Sequence, residues 1–408
     1  MKFEHLKHFF CCFILVTKVF SQVDNTYINS PKRDSLLKLE NDGKDMIDVL
    51  GLKKFINENP NETKKEREVR FTVLPFVGYT LQTRLAAILA GNIAFYVDDD
   101  DETNQSAVST SISYTQNNQI IFPVFTNIWT RKNKFNLLGI WRYYKYPEST
   151  YGLGGYTSLK IANKLDYSYI IFREAVLRHF SNSYFYAGLG YNLSYHINIT
   201  ESDNSDGKLT DFTKYGKTKN SVSSGISFHA LYDKRGNTIN PPKGMYASVT
   251  FCPFTTLLGS NNNWQSLVID FRKYFKMPHS KNVLAFWNYN WFTNGKAPYL
   301  DLPSTGWDSF SNIGRGYIQS RLRGTNLLYL EAEYRFRITH NGLLGGVVFS
   351  NAQSVSDWPS NQFTVIYPAI GSGIRIKLNK HSNTNLSIDY GVGIKGSKGL
   401  FINLGEVF

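Results

Sequence analysis

Cysteine is nearly absent from this chain, three in 408 residues, and two of the three, Cys11 and Cys12, stand in an N-terminal stretch that reads as removable. A mature chain that keeps only Cys252 forms no internal disulfide, so its stability must come from backbone ladders and packing. Long apolar runs are missing as well. The longest reaches from Phe9 to Val16, well short of the roughly 20 residues a membrane helix requires, which excludes helical spans. Clustered metal ligands are also lacking. His5, His8, His179, His196, His229, His279, His340 and His381 are far apart, and no Gly-x-Ser-x-Gly elbow presents a nucleophile. Neither an enzyme, a metal site nor a cofactor is expected.

What the chain does have is aromatic and glycine content: 29 Phe, 26 Tyr and 31 Gly. Lys2 and Lys7 precede the Phe9 to Val16 stretch, and Val19-Phe-Ser21 supplies modest side chains at a cleavage site, so residues 1–21 read as a secretory signal peptide. Neither cysteine there lies in a lipoprotein context, and no lipid anchor is expected. The net charge of +13 is scattered among strand-like positions rather than gathered in a helix or tail. That distribution argues against nucleic acid and for a basic lumen or a basic rim facing outer-membrane lipid. The acidic run Asp98 to Glu102 lacks the interleaved spacing of a calcium loop and reads as a solvated turn. Gly391-Val-Gly-Ile-Lys-Gly-Ser-Lys398 lacks the Gly-Lys-Ser/Thr order of a phosphate loop and reads as glycines at a barrel turn.

Residues 22–69 are charged and poor in aromatics, with a short amphipathic helix expected around Asp48 to Ile56; the segment reads as a short periplasmic leader. From 70 to 408 the pattern changes to alternation. In Leu328-Tyr-Leu-Glu-Ala-Glu-Tyr-Arg-Phe-Arg-Ile338 the apolar residues Leu328, Leu330, Ala332, Tyr334, Phe336 and Ile338 share one face, and Glu331, Glu333, Arg335 and Arg337 the other. A period of two with charge on one face predicts a strand between lipid and a wet lumen. About sixteen such segments follow one another to the C-terminus. The long connections at 147–166, 199–220, 294–326 and 351–362 all fall on one side of the implied barrel, and most short ones on the other, although 98–106 and 234–243 are longer than periplasmic turns should be. The expected fold is an all-β transmembrane antiparallel barrel of the bacterial outer membrane, with a long sixth extracellular loop.

Three stretches resemble the superfamily of outer-membrane assembly factors and two-partner-secretion transporters, the bacterial surface antigen family that contains BamA and TamA. Tyr232-Asp-Lys-Arg-Gly-Asn-Thr-Ile-Asn-Pro-Pro-Lys-Gly244 resembles its signature turn through Asp233, Arg235, Pro241 and Gly244. Gly314-Arg315-Gly316-Tyr317 is similar to the Arg-Gly-aromatic tip of the family's sixth extracellular loop. Gly371-Ser-Gly-Ile-Arg-Ile376, Asn385 to Gly391 and Phe401 to Phe408 are similar to its last strands, with Gly405 and Phe408 in its C-terminal insertion signal. The chain departs from the family in having no room before Phe71 for repeated POTRA domains, and in carrying Asn351 where many members have an acid.

The resemblance implies that the sixth loop enters the lumen, where Arg315 pairs with the wall acid Glu333 in preference to Glu331. It also implies insertion or translocation of outer-membrane proteins, or lipids, by strand templating at a seam between 71–79 and 400–408. The implied partners are unfolded outer-membrane protein clients and periplasmic or lipoprotein accessory subunits. The alternative is a passive channel or structural barrel. A wet lumen further predicts that Leu330→Arg, on the lipid face, lowers the level of folded barrel far more than Glu331→Arg does.

Overall fold

The computed structural model describes residues 44–49, 69–98, 103–180, 183–201, 209–235, 237–309, 311–380 and 383–408. The expected signal peptide, residues 22–43 and 50–68, most of the acidic run at 98–102, and His5, His8 and His381 lie outside the described residues.

Alternating sequence becomes strand throughout. The first hairpins are β1 (Arg70–Thr80), β2 (Arg84–Phe95), β3 (Ser106–Thr115) and β4 (Ile120–Trp129), followed by β5 (Phe135–Lys145). A three-residue strand not foreseen in the sequence, β6 (Glu148–Thr150), lies inside a long connection and pairs with the outer end of β7 (Asn163–His179). Next come β8 (Phe185–Glu201), β9 (Ser221–Asp233), β10 (Gly244–Phe254), β11 (Trp264–Lys276) and β12 (Val283–Gly295). The last five are β13 (Asn326–Arg337), β14 (Leu344–Val355), β15 (Tyr367–Asn379), β16 (Thr384–Gly393) and β17 (Lys398–Leu404). Each long strand pairs antiparallel with the next in chain order, from β1–β2 through β5–β7 to β16–β17. The two ends come beside each other, giving a nearly closed barrel of sixteen long strands.

The strand period sorts the side chains into two environments. On β13, Leu330 is 58% exposed while its neighbour Glu331 is 3% exposed. Leu89, Ile112, Leu189, Phe228, Phe271, Phe286, Leu330 and Ile370 belong to a band of exposed apolar residues around the outside. A belt of that extent is what lipid requires and water penalises. The interior is filled rather than open: loops from the outer end descend into it, and two buried clusters pack there. One gathers Trp287, Tyr317, Tyr329, Tyr367 and Phe408; the other gathers Tyr167, Tyr169, Phe212, Trp264 and Tyr299.

Two local differences from the sequence expectation have physical causes. β14 continues to Val355 instead of stopping near 350, because its inward Asn351 and Gln353 find partners on the sixth loop. β17 ends at Leu404 instead of running to 408, because Gly405 takes a left-handed conformation (φ 88°) and turns the chain inward. Among the described residues of the leader there is one short turn of helix, α1 (Met46–Val49); most of the helix expected from Asp48 to Ile56 lies outside the described residues. α1 rests against the periplasmic turns, with Lys44 N donating to Asn341 O (2.9 Å) and Asp48 facing Lys380 (3.0 Å).

Candidate functional site

The connection from 296 to 325 folds into the lumen, and its anchoring follows from charges that only protein can solvate there. Arg323 reaches Glu148 (3.2 Å) and the carbonyl of Tyr299 (3.1 Å), while Ser320 Oγ donates to the other oxygen of Glu148 (2.6 Å). Arg321 donates to Thr157 Oγ1 (2.6 Å) and lies over the Tyr367 ring (5.4 Å). The stretch at 209–220, with α2 (Asp211–Gly216), completes this outer plug: Phe212 packs edge-on against Tyr299 (5.3 Å).

At the loop tip, Gly314 (φ 88°) and Gly316 (φ 103°) flank Arg315. The backbone at Gly316 passes so close to Gly391 that a side chain at either position would strike the opposing strand or loop. Gly393 leaves the same space for the Tyr317 ring, whose hydroxyl accepts from Ile394 N (3.1 Å). Of the glycines that superficially resemble a phosphate loop, Gly391 and Gly393 are therefore seating positions for the tip, and Gly396 (φ 79°) makes the turn.

Arg315 is buried and fully engaged at its terminal nitrogens. Nη1 donates to Asp389 (2.6 Å), Nη2 contacts both Glu331 and Glu333, and the guanidinium lies 3.7 Å from the centroid of Phe349. Asn351 Nδ2 donates to the Arg315 carbonyl (2.9 Å), so this amide holds the loop backbone where an acid would have faced the guanidinium. The expectation of a single wall acid needs correction: Glu331 and Glu333 share the arginine, and Asp389 on β16 was missed. Nothing in the local pattern of Asp389 distinguishes it from any other inward strand residue, since its partner is distant in sequence. The wet surroundings expected for Glu331 are also corrected. That carboxylate sits in a dry cluster, where its second oxygen receives the Tyr329 hydroxyl.

The cluster extends downward. Arg335 Nε donates to Glu333 (2.6 Å), Arg375 pairs with Asp389, and Arg375 Nε donates to Glu406 (2.7 Å). Three guanidiniums thus meet four carboxylates drawn from the loop, β13, β15, β16 and the residues after β17. Burial alone would push the Glu406 carboxyl up, but Arg375 and Arg335 outweigh it and hold the group below the usual carboxylate range. Beyond Gly405 the chain stays inside: Phe408 stacks on Trp287 (5.2 Å), its main-chain oxygen accepts from Arg335 Nη2 (2.8 Å), and Val407 O accepts from Asn312 of the loop (2.7 Å).

The turn after β9 meets the same point from below. Asp233 receives Arg235 Nε (2.9 Å) and Nη2 (2.7 Å), and Gly244 (φ 120°) returns the chain into β10 with no room for a Cβ against Lys234 O. Pro241 is buried in the intervening stretch, which crosses beneath the barrel: Glu406 N donates to Ile239 O (3.4 Å), and Asn383 Nδ2 to Asn240 O (3.3 Å). The extra length of 234–243, anomalous for a periplasmic turn, is what spans this distance. At the seam, the Leu81 side chain lies against Gly399. No strand ladder joins β1 to β17 among the described residues.

His196 is the histidine whose surroundings most resemble a catalytic arrangement. Its Nδ1 faces both Ser221 (3.3 Å) and Asp301 (4.0 Å). A relay needs acid and nucleophile on opposite ring nitrogens, and this geometry does not provide that.

Over residues 103–401 the chain matches the Omp85 superfamily domain. The chain belongs to the Omp85 superfamily. This Omp85 barrel is similar in fold to BamA from Haemophilus ducreyi lacking POTRA domains 1–3 (TM-score 0.54, 14% identity, 83% of this chain and 70% of that one). It is also similar to CdiB from Escherichia coli (TM-score 0.51, 11% identity, 83% and 67%). No curated sequence matches it. As an Omp85 barrel it is a protein of the bacterial outer membrane.

Proposed function

We infer that this barrel inserts outer-membrane proteins by presenting the edge of β1 to an incoming strand. The observation that carries the reading is the departure of the chain from the wall at Gly405. β17 has seven residues and β1 eleven, so the periplasmic end of β1, beginning at Arg70, has no continuation of β17 beside it. Unpaired strand edges template further strands, with main-chain hydrogen bonds supplying affinity and alternate side chains facing lipid or lumen. Unfolded outer-membrane proteins are the clients, delivered by periplasmic or lipoprotein subunits. A passive pore is disfavoured by the loop that fills the lumen and by the charges buried with it, which an open channel would leave facing water.

A photo-crosslinking residue in place of Phe71, exposed near the periplasmic start of β1, tests this, with the same residue at Val249 on the far wall as control. Capture of barrel precursors at 71 and not at 249 is expected in cells. Equal or no capture at the two positions, combined with steady conductance of the purified protein in planar bilayers, would replace the insertase reading with that of a pore.

A further inference from the structure

On β7 the lumenal face passes from one apolar layer to another across a single arginine. Ile171 belongs to the outer cluster with Tyr169 and Trp264, while Ala175 and Leu177 belong to a periplasmic cluster with Trp129 and Tyr186; Arg173 stands between them. The barrel is incompletely filled at this level. The inward side chains of Ile140, Arg173, Asn192, His229 and Thr250 are half-buried, whereas those of the two clusters are buried.

Two guanidiniums and a phenol share this patch of wall. Arg142 of β5 stands opposite Ile171 in the ladder, and Tyr169 and Arg173 are the inward residues on either side of Ile171. Diagonal neighbours on one face of a sheet are about 7–8 Å apart, so the three side chains rise close together. Asn192 of β8 lies opposite Arg173 and adds an amide.

What the patch lacks is an acceptor. Arg142 Nη2 donates to the carbonyl of Ser309 (2.5 Å), but Arg142 Nε and the Tyr169 hydroxyl are buried with no hydrogen-bond partner. Arg173 makes no hydrogen bond among the described residues, and neither arginine makes an ion pair there. The cluster around Arg315 is the contrast, where three guanidiniums meet four carboxylates. Two like charges side by side in a partly dry lumen repel, and each unpartnered group beside them can donate. The missing member is a negatively charged acceptor.

We propose that this level of the lumen binds a phosphate group, held by Arg142 and Arg173 with the Tyr169 hydroxyl donating to a further oxygen. A phosphate dianion matches two uncompensated guanidiniums in charge, and its tetrahedral oxygens can meet donors that arrive from different strands. A carboxylate offers two oxygens and one charge. The free ion and a phosphate monoester share the required chemistry. The assignment stands apart from the insertase reading, because it depends on the wall of β5 and β7 and not on the seam.

Isothermal titration calorimetry of the full chain in neutral detergent, at constant ionic strength in chloride, measures the site with inorganic phosphate, glycerol phosphate and acetate. Saturable binding of one phosphate group per chain is expected, with acetate at least about tenfold weaker. Tighter binding of inorganic phosphate assigns the site to the free ion, and tighter binding of glycerol phosphate assigns it to a monoester. Arg173→Gln should weaken phosphate binding at least about tenfold, because hydrogen bonds between charged groups are the strong ones. Tyr169→Phe, which keeps the ring, should weaken it by about three- to tenfold. Arg178→Gln removes a cation from the exposed outward face of the same strand and should leave binding within about twofold. In chloride alone, Arg173→Gln should leave the temperature of heat-modifiable unfolding unchanged or raise it, since no ion pair is lost. Absence of saturable phosphate binding, acetate bound as tightly as phosphate, equal losses in the Arg173 and Arg178 variants, or a destabilised Arg173→Gln barrel in chloride would each overturn the proposal.

Discussion

A guanidinium removed from water, as at Arg315, is tolerated when carboxylates and an aromatic face replace its hydration. Its removal therefore exposes the cost of what remains, since Glu331 and Glu333 would stand side by side without the cation between them. Arg315→Ala should cost loop docking about 3–5 kcal/mol, measured by protease access to 296–325. Lys at the same position should recover only a fraction, because an ammonium cannot fork between acids on β13 and β16. Double-mutant cycles pairing Arg315 with Glu333 and with Asp389 should each show coupling above about 0.5 kcal/mol, and additive effects in both would remove the cluster from the account. Glu406 gives the same region a pH dependence. Its carboxyl is held below the ordinary value in the folded chain, so it stabilises the docked tail at neutral pH. That contribution declines as pH falls below the unfolded value of about 4.3 and is gone once the folded group protonates. In a fluorotryptophan-labelled chain, the ¹⁹F resonance of Trp287, which Phe408 covers, should shift over that acidic range. Glu406→Gln should abolish the transition, and an unchanged transition in that variant would assign it to another acid.

Each strand carries two records, one for lipid and one for the interior. The outward record of β13 predicts a depth dependence: Ala332→Arg, at the centre of the outward run, should destabilise the folded barrel by about 2–4 kcal/mol, and Ile338→Arg, at the rim, by about 0–1 kcal/mol. Urea titrations scored by heat-modifiable mobility would measure both, and equal losses would misplace the belt. That face was legible in the sequence because a period of two is local, and so were all sixteen long strands. The loop tip and the signature turn were legible through motifs whose glycines answer to positive φ at 244, 314 and 316. The inward face was only half legible. Alternation shows that Glu331, Arg375 and Asp389 point inward, yet their pairing is decided by three-dimensional proximity between strands far apart in sequence. The end of β17 misled for a related reason. Phe401 to Phe408 continues the strand pattern in composition, and only the partners awaiting Glu406 and Phe408 inside the lumen explain why the chain bends at Gly405.

Across the whole molecule, the two halves of the chain, already joined by the ladder and by the outer plug, also meet beneath the barrel. The turn leaving β9 reaches Gly405, Glu406 and Asn383 at the opposite edge of the chain, and Asn312 of the sixth loop reaches the neighbouring Val407 from above. A chain ended after Leu404 would retain every strand and every ladder. It would lose the Glu406 counter-charge of Arg375 and Arg335 and the ring that covers Trp287. Such a variant should still fold but melt earlier, with a loss smaller than the about 3–5 kcal/mol of a fully unpaired buried charge because Glu333 and Asp389 still face the two arginines, and Glu406 supplied on a tethered or added tail peptide should recover part of it. The docked tail also imposes an order in time. Its receptor is assembled from β11, β12, β13 and the turn after β9, so those elements must be in place before the tail can seat. Before it docks, the three guanidiniums already face Glu331, Glu333 and Asp389, so a barrel complete in its strands but not in its tail is marked by an uncovered Trp287 ring rather than by unpaired charge.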